Sequence, residues 1–268
     1  MKRQPPTFRR SSARSHRRGL FYLLPAALVA AAISGGCADS EGVSRSEGRE
    51  LGDGFAEVET VSYEALDIPE DAPTVLFLGD SITAGLHLPP DQAFPAAAQR
   101  QAMDYGVPFH LVNAGQSGDT SRTALGRLDF VLKNSSPDLV VIEVGANDAL
   151  RGQPLKEVEA NLREIISTIH LTDAQVLLLG MDAPTNLGDY ARKFAEIYTR
   201  VSAEHDVLLV PSFLDGVGGI PDMNLPDGLH PTPEGHERLA KNIVRPLASL
   251  LSTASPRIAP AAATPQGR

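Results

Sequence analysis

Thr74-Val75-Leu76-Phe77-Leu78-Gly79-Asp80-Ser81-Ile82-Thr83-Ala84-Gly85 is an apolar run that stops at a glycine and passes into a short polar turn. Four apolar residues in succession, Val75 to Leu78, show no in/out alternation, which suits a strand buried on both faces of a parallel sheet. Similar runs recur at Phe109 to Val112, Leu139 to Val144, Gln175 to Leu179 and Val207 to Val210. Between them the apolar residues take helical spacing: Leu125, Leu128, Val131 and Leu132; Leu155, Val158, Leu162, Ile165, Ile166 and Ile169; Ala191, Phe194, Ile197, Tyr198 and Val201. A less regular stretch, Asp91 to Tyr105, predicts a first helix ending at Gly106, and a last helix carrying Leu239, Ile243, Val244, Leu247 and Leu250 starts at Thr232-Pro233 as N-cap and N1 and is bent by Pro246. Five strands alternating with five helices predict an α/β fold, a three-layer α/β/α sandwich on a five-stranded parallel sheet. Ligands of such sheets sit beyond the carboxyl ends of the strands, so the polar residues after each strand are the ones to read for chemistry.

Outside residues 64–251 the character of the chain changes. Residues 1–36 hold Lys2, Arg3, Arg9, Arg10, Arg14, Arg17 and Arg18 and no acidic residue, followed by the apolar run Leu20 to Ile33. That run is shorter than the ~20 residues of a spanning helix and reads as the core of an export signal. Arg17-Arg18-Gly19-Leu20-Phe21 resembles a twin-arginine signal, and Ser34-Gly35-Gly36-Cys37 resembles a bacterial lipoprotein cleavage box, with Ser34 where a larger aliphatic residue is usual. The resemblance implies an exported, cell-envelope lipoprotein held to a membrane through lipid on Cys37. Residues 37–63 read as a flexible tether rich in Ser, Gly, Glu and Arg, and 252–268 as a Pro/Ala-rich tail without a core of its own. The whole chain has 268 residues, 24 Lys+Arg against 33 Asp+Glu and one cysteine. A single cysteine excludes an intrachain disulfide and a multi-thiolate metal site, and the acidic balance argues against a nucleic-acid-binding face.

The segment after the first strand, Gly79 to Gly85, is not a phosphate loop, because Gly85 is followed by Leu86-His87 rather than Lys-Ser/Thr. It presents Ser81 on a tight strand-to-helix turn, with the hydroxyl toward the cleft and the N–H toward any developing anion. A serine needs a base. Of the seven histidines, His16 falls in the export segment, His110 in a strand, and His170 and His205 at helix ends, while His87 has no carboxylate nearby except Asp80 and Asp91. His230 stands in Pro226-Asp227-Gly228-Leu229-His230-Pro231-Thr232-Pro233, where one loop offers carboxylate and imidazole together. Asp227 can then set the tautomer of His230 while the other ring nitrogen faces Ser81. A metal centre on Asp227, His230 and His236 is not expected, since there is no His-Glu-x-x-His helix and His236 falls inside the last helix. Two further strand ends carry donors: Gly118 within Asn113 to Thr120, and Asn147 within Gly145-Ala146-Asn147-Asp148. With Ser81 N–H they would make three donors around one oxyanion.

Gly79-Asp80-Ser81, Gly118 in Ser117-Gly118-Asp119-Thr120, Asn147 in Gly145-Ala146-Asn147-Asp148, and Asp227-x-x-His230 resemble, in order, the blocks of the SGNH hydrolases, also called GDSL esterases/lipases. The similarity runs over about residues 73–250, and the longer strings Asn113 to Thr120 and Gly145 to Gly152 resemble the bacterial arylesterase and thioesterase/lysophospholipase branch. It implies a flavodoxin-like fold, Ser81 as nucleophile, His230 as base and acid, Asp227 as its orienter, and Ser81, Gly118 and Asn147 as oxyanion donors. It further implies that the loop after Asn147 and the segment Met181 to Pro184 meet the acyl chain. No metal or organic cofactor is required, and the partner is a small ester or lipid substrate; the oligomeric state is left open, a monomer being compatible with the reading. Carbohydrate O-deacetylation, acyl transfer on the same apparatus, and a non-catalytic surface binding protein stand as the alternatives.

Overall fold

The computed structural model describes residues 66–253. The expected export segment, the tether with Cys37, and the tail beyond Thr253 lie outside these residues.

Five parallel strands form one sheet: β1 (Thr74–Gly79), β2 (His110–Gly115), β3 (Leu139–Glu143), β4 (Gln175–Leu179) and β5 (Leu208–Val210), in the spatial order β2-β1-β3-β4-β5. Among the described residues, seven α-helices accompany them: α1 (Ser81–Ala84), α2 (Phe94–Met103), α3 (Ser121–Ser135), α4 (Ala146–Leu150), α5 (Leu155–Ile169), α6 (Asp189–His205) and α7 (Pro233–Thr253). Helices α2 and α7 pack on each other, and α3, α5 and α6 pack in series, giving the three-layer sandwich. The central strands β1 and β3 are buried almost throughout, as their unbroken apolar runs require, while β2 at the edge is mostly half-buried. The strand order reverses at β1, whose neighbours are β2 on one side and β3 on the other, so the clefts beyond β1 and β3 form the topological switch point where ligands bind in such sheets.

Three local details differ from the sequence expectation. Strand β2 runs on through Asn113, Ala114 and Gly115, because Phe77, Leu78 and Gly79 pair with them in register. The expected first helix is divided into a 3-10 turn (Pro90–Gln92) and α2, since Pro95 fits only the first turn of a helix and Ala93 before it is extended. Ala93 has no capping side chain; Nδ1 of His236, on α7, accepts from Phe94 N–H at 3.0 Å in its place. Finally, α7 begins as expected, with Thr232 Oγ1 accepting from Gly235 N–H at 3.2 Å, and runs past Pro246 to Thr253, into the first residues of the segment expected as tail.

Candidate active site

Ser81 opens α1 directly after β1. Asp80 is the N-cap, its Oδ1 accepting from Ile82 N–H at 3.0 Å, so the first-turn N–H groups, Ser81's among them, point outward from the strand end. The turn is tight because Gly79 has no side chain: a methyl there would overlap Thr83 Oγ1 and come within 2.7 Å of Glu143 Oε2. From 149 residues further along the chain, His230 Nε2 comes to 2.9 Å from Ser81 Oγ. His230 Nδ1 lies 2.7 Å from Asp227 Oδ2, and Asp227 Oδ1 accepts from the backbone N–H of Leu229 (2.9 Å) and of His230 (3.0 Å). One carboxylate therefore folds the loop with one oxygen and orients the imidazole with the other. The His230 N–H, the His230 ring and the Leu229 N–H hold the Asp227 carboxyl below the usual carboxylate range, so it is charged at neutral pH. Asp227 also remains more than a third exposed, in contact with water at the rim.

Of the two other expected donors, Asn147 bonds to the residue before the serine and Gly118 is held by Arg151. Asn147, in the first turn of α4, donates from Nδ2 to Asp80 Oδ2 at 3.2 Å, which ties its amide to the residue preceding the serine. Gly118 occupies a left-handed turn at φ +87, a backbone angle that favours glycine, and its carbonyl accepts from Arg151 Nη2 at 3.1 Å. The segments after β1, β2 and β3 are thus linked to one another through Asp80–Asn147 and Gly118–Arg151. Chemically, this assembly can lower the barrier for a hydroxyl attacking a carbonyl: a base on the hydroxyl, a charge behind the base, and N–H donors around the turn for the oxyanion.

Several supporting groups went unread in the sequence. Glu143, the one acidic residue in the otherwise apolar strand β3, lies beneath the serine turn and is fully buried. Its Oε2 accepts from Thr83 Oγ1 at 2.7 Å and from Asp80 N–H at 3.3 Å. Burial raises Glu143 well above the usual carboxyl range and the neighbouring Asp80 charge raises it further; burial also pushes Asp80 up to about 6. Of this pair, the fully buried Glu143 is pushed further toward its neutral form than Asp80. An acidic residue at the end of a doubly buried strand was the available signal. Asp119, at 2.7 Å from Arg127 Nε, aims that guanidinium at the carbonyls of Ala114 (2.7 Å) and Gly79 (3.2 Å), bracing the ends of β1 and β2. His236 does not join His230 and Asp227: it is buried in contact with Phe94, and burial, then the charge of His230, push it down to about 4. His110 opens β2, and His170 and His205 stand at the ends of α5 and α6, as read from the sequence.

Residues 77–238 match the model of the GDSL-like lipase/acylhydrolase family. Among curated proteins, the chain is 41% identical over 181 residues to esterase TesA of Pseudomonas aeruginosa, covering 67% of this chain and 90% of that one. It is 35% identical over 182 residues to thioesterase 1/protease 1/lysophospholipase L1 of Escherichia coli, covering 68% and 86%. Among solved structures, the psychrotrophic esterase EstA from Pseudoalteromonas sp., inhibited by monoethylphosphonate, superposes with a TM-score of 0.63 at 30% identity over 67% of this chain and 99% of that one. Among the described residues, no helix is long and apolar enough to cross a membrane.

Proposed function

The chain belongs to the GDSL-like lipase/acylhydrolase family, and from that premise we propose that it hydrolyses its ester substrates through an acyl-enzyme on Ser81. It is a carboxylic ester hydrolase. The observation that carries the assignment of roles is the unbroken hydrogen-bonded chain from Ser81 Oγ through His230 to Asp227, at 2.9 and 2.7 Å. Ser81 Oγ attacks the ester carbonyl while His230 Nε2 takes its proton, and the nearby Asp227 charge stabilises the imidazolium. The carbonyl oxygen, now an anion, rests on Ser81 N–H, Gly118 N–H and the Asn147 amide. Collapse expels the alcohol, which leaves with the proton from His230. Water, deprotonated by the same nitrogen, then attacks the acyl-serine and releases the carboxylic acid and free Ser81. Each step is acid–base and nucleophilic chemistry that side chains of this site supply.

The substrate class favoured is an aryl or short- to medium-chain acyl ester, extending to lysophospholipids and acyl thioesters. The names of the similar proteins support this range, and the loop after Asn147 and the segment Met181 to Pro184 are its acyl-contacting walls. The enzyme is exported and held at the cell envelope by lipid on Cys37; mass spectrometry of the mature amino terminus checks this, an unmodified Cys37 refuting it. The decisive experiment is hydrolysis of p-nitrophenyl and lysophospholipid esters of increasing acyl length by the native chain, Ser81→Ala and His230→Ala. Both variants should lose several orders of magnitude. Full activity in Ser81→Ala overturns the assignment.

A further inference from the structure

His87 directly follows α1 and its C-cap turn, and stands at φ +73, a left-handed angle that few residues other than glycine adopt. Its ring is exposed at the mouth of the site and meets His230 edge-on, with centroids 5.9 Å apart and planes at 90°. One ligating atom from each of His87, Asp227 and His230 lies within 4.8 Å of the other two. We propose that these three side chains form a site for a borderline-soft divalent cation, Zn2+ foremost, and that occupying it switches hydrolysis off. The inhibitory half rests on Ser81 as nucleophile and His230 as its base; the binding half does not.

Two imidazoles and a carboxylate are the donor set that zinc, nickel and copper take, whereas magnesium and calcium prefer oxygen ligands throughout. In a tetrahedral site with bonds of about 2.0–2.1 Å, neighbouring ligand atoms stand roughly 3.3 Å apart. His230 Nδ1 and Asp227 Oδ2, at 2.7 Å, would part slightly to admit an ion, and the longer separations need to close by about 1.5 Å at most, within reach of a rotation of the exposed His87 side chain. Asp227 and His87 both face water, so solvent can supply the remaining coordination.

Inhibition follows whichever nitrogen of His230 the cation takes. If it takes Nε2, the lone pair that accepts the Ser81 proton is gone. If it takes Nδ1, the ring proton is confined to Nε2, which then cannot accept from Ser81 Oγ, and the charge of Asp227 is directed to the metal. His87 makes the difference between a general feature of such a dyad and a site. Without it, one carboxylate and one imidazole that already bond each other offer a weak bidentate set.

The test uses two readouts on the full chain. Isothermal titration of Zn2+ into Ser81→Ala measures binding with the nucleophile removed; one ion should bind, and adding His87→Gly should weaken it by at least the ~10-fold that loss of even an outer-shell partner costs. Glycine suits the backbone angle at this position, so the variant keeps the loop conformation. In the second readout, hydrolysis of p-nitrophenyl butyrate is measured with and without Zn2+, each variant against its own metal-free rate. Zn2+ should inhibit the native chain, chelation by EDTA should restore it, and Mg2+ and Ca2+ should have no effect. His87→Gly should need at least ~10-fold more Zn2+ for half-inhibition. Equal zinc sensitivity of the native chain and His87→Gly, or no zinc-binding difference between the two proteins in the Ser81→Ala background, overturns the proposal. Unimpaired hydrolysis by Ser81→Ala instead overturns the catalytic roles and with them the inhibitory half, while the titration alone then upholds or overturns the metal site.

Discussion

Asp227→Asn separates the two tasks that one carboxylate performs. Its Oδ1 folds the loop by accepting from the Leu229 and His230 N–H groups, and an asparagine oxygen can accept the same two bonds. Its Oδ2 faces His230 Nδ1 at 2.7 Å, and there the variant places an amide NH2. The ring then presents a lone pair to that donor and carries its proton on Nε2, where it points at Ser81 Oγ and can no longer take the hydroxyl proton. A buried orienting aspartate is worth about 10⁴ in kcat through this tautomer effect. Asp227 is over a third exposed, so water partly replaces its field, and the expected loss is smaller, roughly 10²–10³. The loss should fall on kcat with KM nearly unchanged, because the imidazolium exists only on the way to the transition state. Steady-state hydrolysis of p-nitrophenyl butyrate at pH 7 to 8.5 measures it, with urea denaturation to show that the loop still folds. A kcat within threefold of the native chain in a folded variant would refute the assignment of Asp227 as orienter.

Asn147→Ala removes the proposed oxyanion donor and a partner of Asp80, and should lower kcat by about 10²–10³ with the same ester; a loss under tenfold would place the amide outside the hole. Glu143→Gln should fold and retain most activity at pH 7, because an amide oxygen can accept the same two bonds and burial already disfavours the charged carboxylate, whereas Glu143→Ala should cost about 1–3 kcal/mol in urea unfolding by leaving Thr83 Oγ1 and Asp80 N–H without their acceptor. His236 governs a pH effect of definite sign. The folded chain keeps it neutral down to about pH 4, while the unfolded chain takes a proton near ~6.5, so its contribution is complete above the unfolded value and is lost as pH falls toward the folded one. Between pH 7 and 5 this amounts to roughly 2 kcal/mol. Asp80 and Glu143, raised in the fold, act in the opposite sense on acidification, so the effect is read as the difference between the native chain and His236→Gln; parallel stability–pH curves for the two proteins would contradict it.

Local chemistry was legible in the sequence wherever bonding partners are close along the chain. Asp227 and His230 are three residues apart, and the Thr232 cap lies three residues before the N–H it accepts. The β1 turn announced itself through Gly79 and the helix behind it. The short helices α1 and α4, one turn each, have too few residues to show a period, and the division before α2 depends on how Pro95 and the His236 cap close the helix start. Gly118 and Asn147 were readable as a turn glycine and a strand-end amide, but the bond of Asn147 to Asp80 and the link of Gly118 to Arg151 exist only in the folded chain.

The amino-acid sequence by itself determined the alternation of buried strand and amphipathic helix, the presence of a serine on a strand-to-helix turn, and a loop able to pair carboxylate with imidazole. Each is a matter of periodicity or of partners within a few residues. The residues already pointed to His230 as the partner of Ser81, but only the tertiary structure makes the contact, because it crosses 149 positions and exists only once β1 lies at the centre of the sheet and the loop before α7 folds over its end. The same packing turned His236 inward as a helix cap, buried Glu143 under the turn and so raised it, and set His87 beside His230 at the rim. Burial shifts His236 and Glu143, distance sets which side chains meet, and both quantities arise from the folded arrangement rather than from the order of residues along the chain.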